Sequence, residues 1–166
     1  MTLTGWIFDA YPEEKGMAVW LVDRAGTSHK LATTFSPSFF LDSIPDAVRD
    51  ALSRIQVPIE ISETRRKDLY SNEERNVAQV TIHCPVAYPQ IVAQLQRQFP
   101  EREFFTCDID VESLFFYRTG LFPLAKVEIE ATDGFILEWD VYDNPWSLDT
   151  PCRRSLSWNS ALPAAI

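Results

Sequence analysis

Asp108 and Asp110 stand one residue apart, directly after the strand-like run Glu103-Phe104-Phe105-Thr106-Cys107. Paired acids at a strand end could hold a divalent cation and support a metal-dependent hydrolysis, if further carboxylates converged on them. An aspartate in that place also caps the helix that follows, because exposed N–H groups and the helix dipole favour negative charge there, and capping is the stronger reading. Asp140 and Asp143 form a looser pair that reads as a solvated turn. His29 and His83 lie far apart in strand-like runs, and Cys84, next to His83, should point to the opposite strand face. No zinc or other metal site is expected from that pattern. The sequence has no Gly-x-Ser-x-Gly elbow, no Walker loop and no Gly-x-Gly-x-x-Gly, and its five glycines leave little to cradle a phosphate. No catalytic residue and no cofactor follows from these residues.

One basic run remains, Arg65-Arg66-Lys67, followed by Asp68-Leu69-Tyr70. It falls within the polar stretch 64–76, which reads as a loop between two strands, where cations beside an aromatic ring can meet phosphates and an unstacked base. An ordinary solvated loop has the same composition. Tyr11, Tyr88, Tyr117, Trp6 and Trp20 are further candidate stacking platforms, although aromatics on strands more often belong to a core.

These residues sit on 166, of which 46% are hydrophobic, 13% aromatic and 23% charged. That length and balance suit one domain or two small subdomains with a real core, and exclude global disorder. With 24 acidic against 15 basic residues the net charge is −9, which by itself argues against tight binding along a phosphate backbone. Three widely spaced cysteines, Cys84, Cys107 and Cys152, offer neither a disulfide framework nor a paired metal knuckle. No apolar run approaches a membrane span and Met1 to Gly16 lacks the layout of a secretory signal, so a cytoplasmic protein with no membrane partner is expected.

The elements that must position these groups begin with strands at about 4–11, 17–23 and 27–33, an antiparallel meander, and a short fourth strand follows the Phe35-Ser36-Pro37-Ser38 bend. Ser43 stands as an N-cap before a helix with Ile44, Val48, Leu52 and Ile55 on one face. Alternating runs at 57–63 and 77–83 predict a long-looped hairpin, Ile91, Val92, Leu95 and Phe99 predict a second helix, and 103–107 a short strand. From Phe39 onward the order is therefore βαββαβ, the ferredoxin-like or RNA-recognition-like pattern. A third helix at about 110–119 ends at Gly120, a hairpin turns at Thr132-Asp133-Gly134, and the proline-bearing stretch after Asp143 reads as an extended tail. The fold class is thus α+β: an N-terminal antiparallel β meander over 1–38, a ferredoxin-like βαββαβ layer with the third helix over 39–130, and a hairpin and tail over 131–166.

Taken in order, five segments resemble the amino-terminal domain of family B DNA polymerases, of the archaeal type and its bacterial relatives. They are Phe8-Asp9-Ala10-Tyr11, Phe35-Ser36-Pro37-Ser38-Phe39, Arg65-Arg66-Lys67-Asp68-Leu69-Tyr70, the helix with its Tyr88-Pro89 step, and Phe104-Phe105-Thr106-Cys107-Asp108-Ile109 running on to Gly120-Leu121. The resemblance spans about Gly5 to Glu130, and order and spacing carry it more than any one motif.

That resemblance implies a non-catalytic domain that helps hold the single-stranded template, with single-stranded or primer-template DNA and the remaining polymerase domains as partners. Binding by this piece alone would be weak. Arg65, Arg66, Lys67 and Tyr70 would contact the strand, and a template-base pocket would involve Tyr11, Pro37, Tyr88 and Val111. Tyr88 stands where the family tends to have a small aliphatic residue, and Val111 where it has an aromatic one. The family's exonuclease motif Phe-Asp-Ile-Glu has no counterpart, since Trp139-Asp140-Val141-Tyr142 lacks the second carboxylate. Magnesium is therefore expected only of a parent enzyme, and the chain reads as ending before the exonuclease and polymerase domains. The alternative is a stand-alone acidic ferredoxin-like module that binds protein.

Overall fold

The computed structural model describes residues 1–68, 72–142 and 152–155. In chain order the strands are β1 (Thr2–Glu13), β2 (Gly16–Asp23), β3 (Ser28–Thr33), β4 (Ser38–Leu41), β5 (Ile59–Lys67), β6 (Glu74–Ile82), β7 (Phe104–Phe105), β8 (Lys126–Thr132), β9 (Phe135–Val141) and β10 (Cys152–Ser155). The helices are α1 (Asp46–Ser53), α2 (Tyr88–Gln98) and α3 (Val111–Thr119), with a single 3₁₀ turn at Pro85–Ala87. The described chain is mixed α+β and mostly strand. The described residues form two compact units, one from residues 1–35, 112–142 and 152–155, the other from residues 36–68 and 72–111.

In the first unit the expected meander forms: β1 pairs β2 and β2 pairs β3, both antiparallel. The β8–β9 hairpin then joins it on both sides, β8 antiparallel to β1 and β9 parallel to β3 through Ala32 and Phe135. The result is a five-strand barrel-like sheet. Register shifts between Ile7 and Asp9 and between Glu130 and Ala131 supply the local bending that closing a sheet requires. Period-two alternation sends Ile7, Leu21, Leu31, Val127, Ile129 and Ile136 inward. At the β1–β2 turn, a Cβ on Gly16 would run into the carbonyl oxygen of Thr33 on β3, so the backbones meet there only because the residue is glycine. Asp133 and Gly134, at φ 52° and 78°, give the paired left-handed turn that the Asp-Gly dipeptide predicts.

After α3, Gly120 at φ 72° stops the helix, with its N–H bonded to the Phe116 carbonyl at 2.9 Å. Phe115 packs edge-on to Phe35 at 5.3 Å between ring centroids, and Trp139 Nε1 donates to the Thr119 carbonyl at 3.3 Å, which ties α3 to the barrel strands. A turn follows in which Ala125 N–H donates to the Phe122 carbonyl at 3.0 Å, and Leu124 holds a left-handed φ of 67°.

The second unit is a four-stranded sheet in the order β5-β6-β4-β7, every neighbouring pair antiparallel. Phe39, Val80 and Ile61 stand in register across β4, β6 and β5 and share one face, whereas Phe40, Gln79 and Ser62 share the other. Tyr88 of α2 packs edge-on to Phe39 at 6.1 Å, so α2 covers the first of these faces. The helix buries Ile91, Val92 and Leu95 together, and α1 buries Val48 and Leu52, as their spacing predicts.

Three local expectations change. The basic run is not in a loop: β5 continues through Lys67 and pairs with β6 as far as Lys67 opposite Glu74. Ser43 does not cap α1. Pro45 occupies the cap position without a side-chain bond, and the Ser43 hydroxyl instead accepts from Arg102 Nη1 at 3.1 Å. The tail contains a strand, β10, which pairs antiparallel with β9, while 143–151 and 156–166 lie outside the described residues.

Candidate nucleic-acid interface

The β5–β6 hairpin extends past the end of β4, whose pairing with β6 stops at Leu41 opposite Ala78. Beyond that point, Thr64 to Lys67 and Glu74 to Val77 form a two-stranded ribbon. A strand divides a run of cations between two faces. Arg65 and Lys67 lie on one face, and Arg66 lies on the other with Arg75, its register partner across β6. Arg66 has its guanidinium carbon 5.1 Å from the Phe40 ring centroid, and its Nη1 donates to the Arg65 carbonyl at 3.3 Å. Arg65 is exposed; its Nε donates to Asn76 Oδ1 at 3.3 Å and its Nη1 stands 3.9 Å from Glu74. Tyr70, the stacking partner expected beside this run, lies outside the described residues.

The sequence reading missed Arg75, a fourth cation that is not part of the run. Its signal was available: once both flanks of the turn are read as strands, Arg75 falls across from Arg66. Arg75 Nη2 pairs with Asp68 at 3.0 Å. Within 64–76, four cations meet three carboxylates, Asp68, Glu73 and Glu74, so the ribbon carries little net charge. The exposed Arg65–Glu74 pair contributes about 1 kcal/mol or less, so a phosphate can exchange with that carboxylate at small cost.

The four positions of the expected base pocket are spread over both units. Tyr11, on β1 of the first, lies under the Lys30 ammonium, 5.4 Å from its ring centroid, and Lys30 is also 2.8 Å from Glu13. The Glu13 bond, together with one to the Tyr11 hydroxyl, holds the Lys30 ammonium above its usual pKa. In the second unit Pro37 is buried beside β4 and its carbonyl accepts from Ile82 N–H at 2.9 Å. Tyr88 is 2% exposed, with its hydroxyl 3.5 Å from the Thr106 carbonyl, and Val111 is equally buried at the start of α3.

Asp108 is exposed, and Asp110 immediately precedes α3. Among the described residues no group of three or more His, Cys, Asp or Glu side chains is placed to hold a metal ion. Burial, and then the charge of Asp108, push the Cys107 thiol above its usual pKa. The two histidines acquire partners that the sequence did not suggest. His29 Nε2 is 3.0 Å from Asp23, whose other oxygen caps the N–H groups of Ala25 and Thr27 at 2.8 and 2.9 Å. His83 Nδ1 is 2.9 Å from Ser36 Oγ, and its Nε2 is 3.7 Å from Glu60. Among the described residues no helix is long and apolar enough to cross a membrane.

No protein-family model and no curated protein matches the sequence. A solved structure that is similar in fold is the family B DNA polymerase from the hyperthermophilic archaeon Pyrobaculum calidifontis, with a TM-score of 0.63 and 19% sequence identity. The similarity covers 86% of this chain and 21% of that polymerase, so the chain spans about a fifth of the length of the enzyme it matches.

Proposed function

We propose that this chain is a non-catalytic, template-strand-handling domain corresponding to the amino-terminal region of a family B DNA polymerase. One observation carries the reading: 86% of the chain is similar in fold to a part of such an enzyme amounting to 21% of its length. The strand order β5-β6-β4-β7 supports assigning the second unit to the ferredoxin-like class, since the first strand of its βαββαβ series lies between the third and fourth. On this reading Arg65, Arg66 and Lys67, with Tyr70, contact the strand, and Arg75 joins them on the Arg66 face. Phosphate contacts of this kind position a strand without reading its sequence. The acidic balance of the chain is tolerable because other polymerase domains would supply most of the cationic surface. DNA, those domains and a cytoplasmic location belong to the same proposal, and magnesium is assigned to the catalytic domains alone.

The test is fluorescence anisotropy of a labelled single-stranded oligonucleotide at low salt. Arg65→Gln with Lys67→Gln should weaken binding and lower the slope of log affinity against log salt by about 1.4, near 0.7 for each phosphate no longer neutralised. Arg66 stays in place in that variant, so its packing on Phe40 and the fold are preserved. Unchanged affinity and slope refute the assignment.

A further inference from the structure

The outer surface of the barrel carries a second arrangement suited to a nucleic-acid strand, distinct from the hairpin in residues and in unit. Trp6 on β1 stands in register with Lys126 on β8, and Tyr142 N–H donates to the Lys126 carbonyl at 2.8 Å from the other side. Gly5, Ile7, Val127 and Val141, the neighbours of this row along their strands, are buried. Alternation therefore sends Trp6, Lys126 and Tyr142 outward together, an aromatic, a cation and an aromatic on three adjacent strands. Trp6 is 37% exposed and Tyr142 45%. The next row pairs Thr4 with Glu128. Thr4, Arg24, Lys126, Glu128 and Tyr142 line an open hollow of about 500 Å³, within the 300–1,000 Å³ range of small-ligand sites.

We infer that this hollow and the row beside it bind two consecutive nucleotides of a single strand, the bases stacking on Trp6 and Tyr142 and the phosphates meeting Lys126 and Arg24. Two rings separated by two strand spacings, about 10 Å, each receive a base of their own. Base-on-aromatic stacking is tolerant of sequence, because every base offers a ring face. Arg24 and Lys126 bring two cations to this face, beside Glu128 and its register partner Asp140, on a chain whose net charge is −9. Glu128 supplies an acceptor for a base amino group or a sugar hydroxyl.

The experiment is anisotropy with a labelled oligo(dT) strand at low salt on the full chain, comparing Trp6→Leu and Tyr142→Leu with the Arg65→Gln, Lys67→Gln variant. Thermal unfolding of each variant checks the fold, and Arg24→Gln with Lys126→Gln gives a second route that leaves both rings in place. Each aromatic substitution should weaken binding at least about fivefold, and the double cation variant should flatten the salt dependence. Folded barrel variants that bind oligo(dT) as tightly as the parent overturn the inference, whatever the hairpin variant does. The hairpin variant alone decides the hairpin assignment. Free dTMP competing as effectively per nucleotide as the strand also overturns it, since that result describes a site for loose nucleotides.

Discussion

The guanidinium of Arg66 lies over the ring of Phe40, on the opposite face of the sheet from Arg65 and Lys67. Three consecutive cations therefore do two jobs. Arg66 covers a buried aromatic with its stem and charge, whereas Arg65 is displayed to solvent.

The two arginines should separate in stability measurements. Arg66→Ala is expected to cost about 1 kcal/mol, because it removes both the cation–π attraction and the packing of the stem. Arg65→Ala should stay within about 0.5 kcal/mol of the parent, because its partners are exposed. Chemical denaturation of both variants checks the contrast; equal losses would contradict the two-face arrangement.

Leu124 is a second target. It takes the left-handed position of a turn that begins Phe122-Pro123, is 70% exposed, and holds φ 67°. Proline at the second turn position and a left-handed third favour glycine or asparagine at the third. Leu124→Gly removes a strain of about 1 kcal/mol and forfeits almost no burial. The expected outcome is a net stabilisation of a few tenths of a kcal/mol, after the added freedom of the unfolded chain is subtracted. A lower melting temperature would contradict it.

At the β1–β2 turn the sign reverses. Gly16→Ala would press a methyl group into the Thr33 carbonyl, with backbone on both sides and no flexible side chain to yield. A loss of about 3 kcal/mol or more is expected, since the strands themselves must separate. Gly26, at φ 83° in the β2–β3 turn, has open space around it and should lose only the cost of its backbone conformation.

Acid stability should report on Asp23. Its hydrogen bond with His29, with those to Thr27 and Ala25 behind it, lowers its pKa below the ordinary 3.8. A carboxyl depressed in the folded state stabilises the fold above its unfolded value and loses that contribution as the pH falls through its folded value. Asp23→Asn should therefore melt below the parent near neutral pH, with the gap closing only below about pH 4. Melting curves across that range check the direction, and a constant gap down to strongly acid pH would contradict it.

Where apolar and polar residues alternated, the sequence was readable. The meander, the α2 face and the Asp133-Gly134 turn all formed as their patterns predict. The outer half of β5 was not readable, because Thr64-Arg65-Arg66-Lys67 projects past β4 with polar side chains on both faces and so has no period to detect. Barrel closure was hidden for another reason. Its parallel pairing joins Ala32 to Phe135, and nothing local to either residue specifies the other. The same distance in sequence concealed the row of Trp6, Lys126 and Tyr142, since a site assembled across strands leaves no spacing to find.

That closure has a consequence for biosynthesis. On a ribosome, β1 to β3 emerge well before Lys126, so the early strands wait with an unsealed seam while the whole of Ser36–Val111 is made. The intervening unit has all its strands within one stretch of chain and can collapse first, leaving the barrel to be sealed last by β8 and β9. Translation halted between Val111 and Lys126 should therefore expose β1 and β3 as sticky edges, and nascent chains of that length are the ones on which holding chaperones should act.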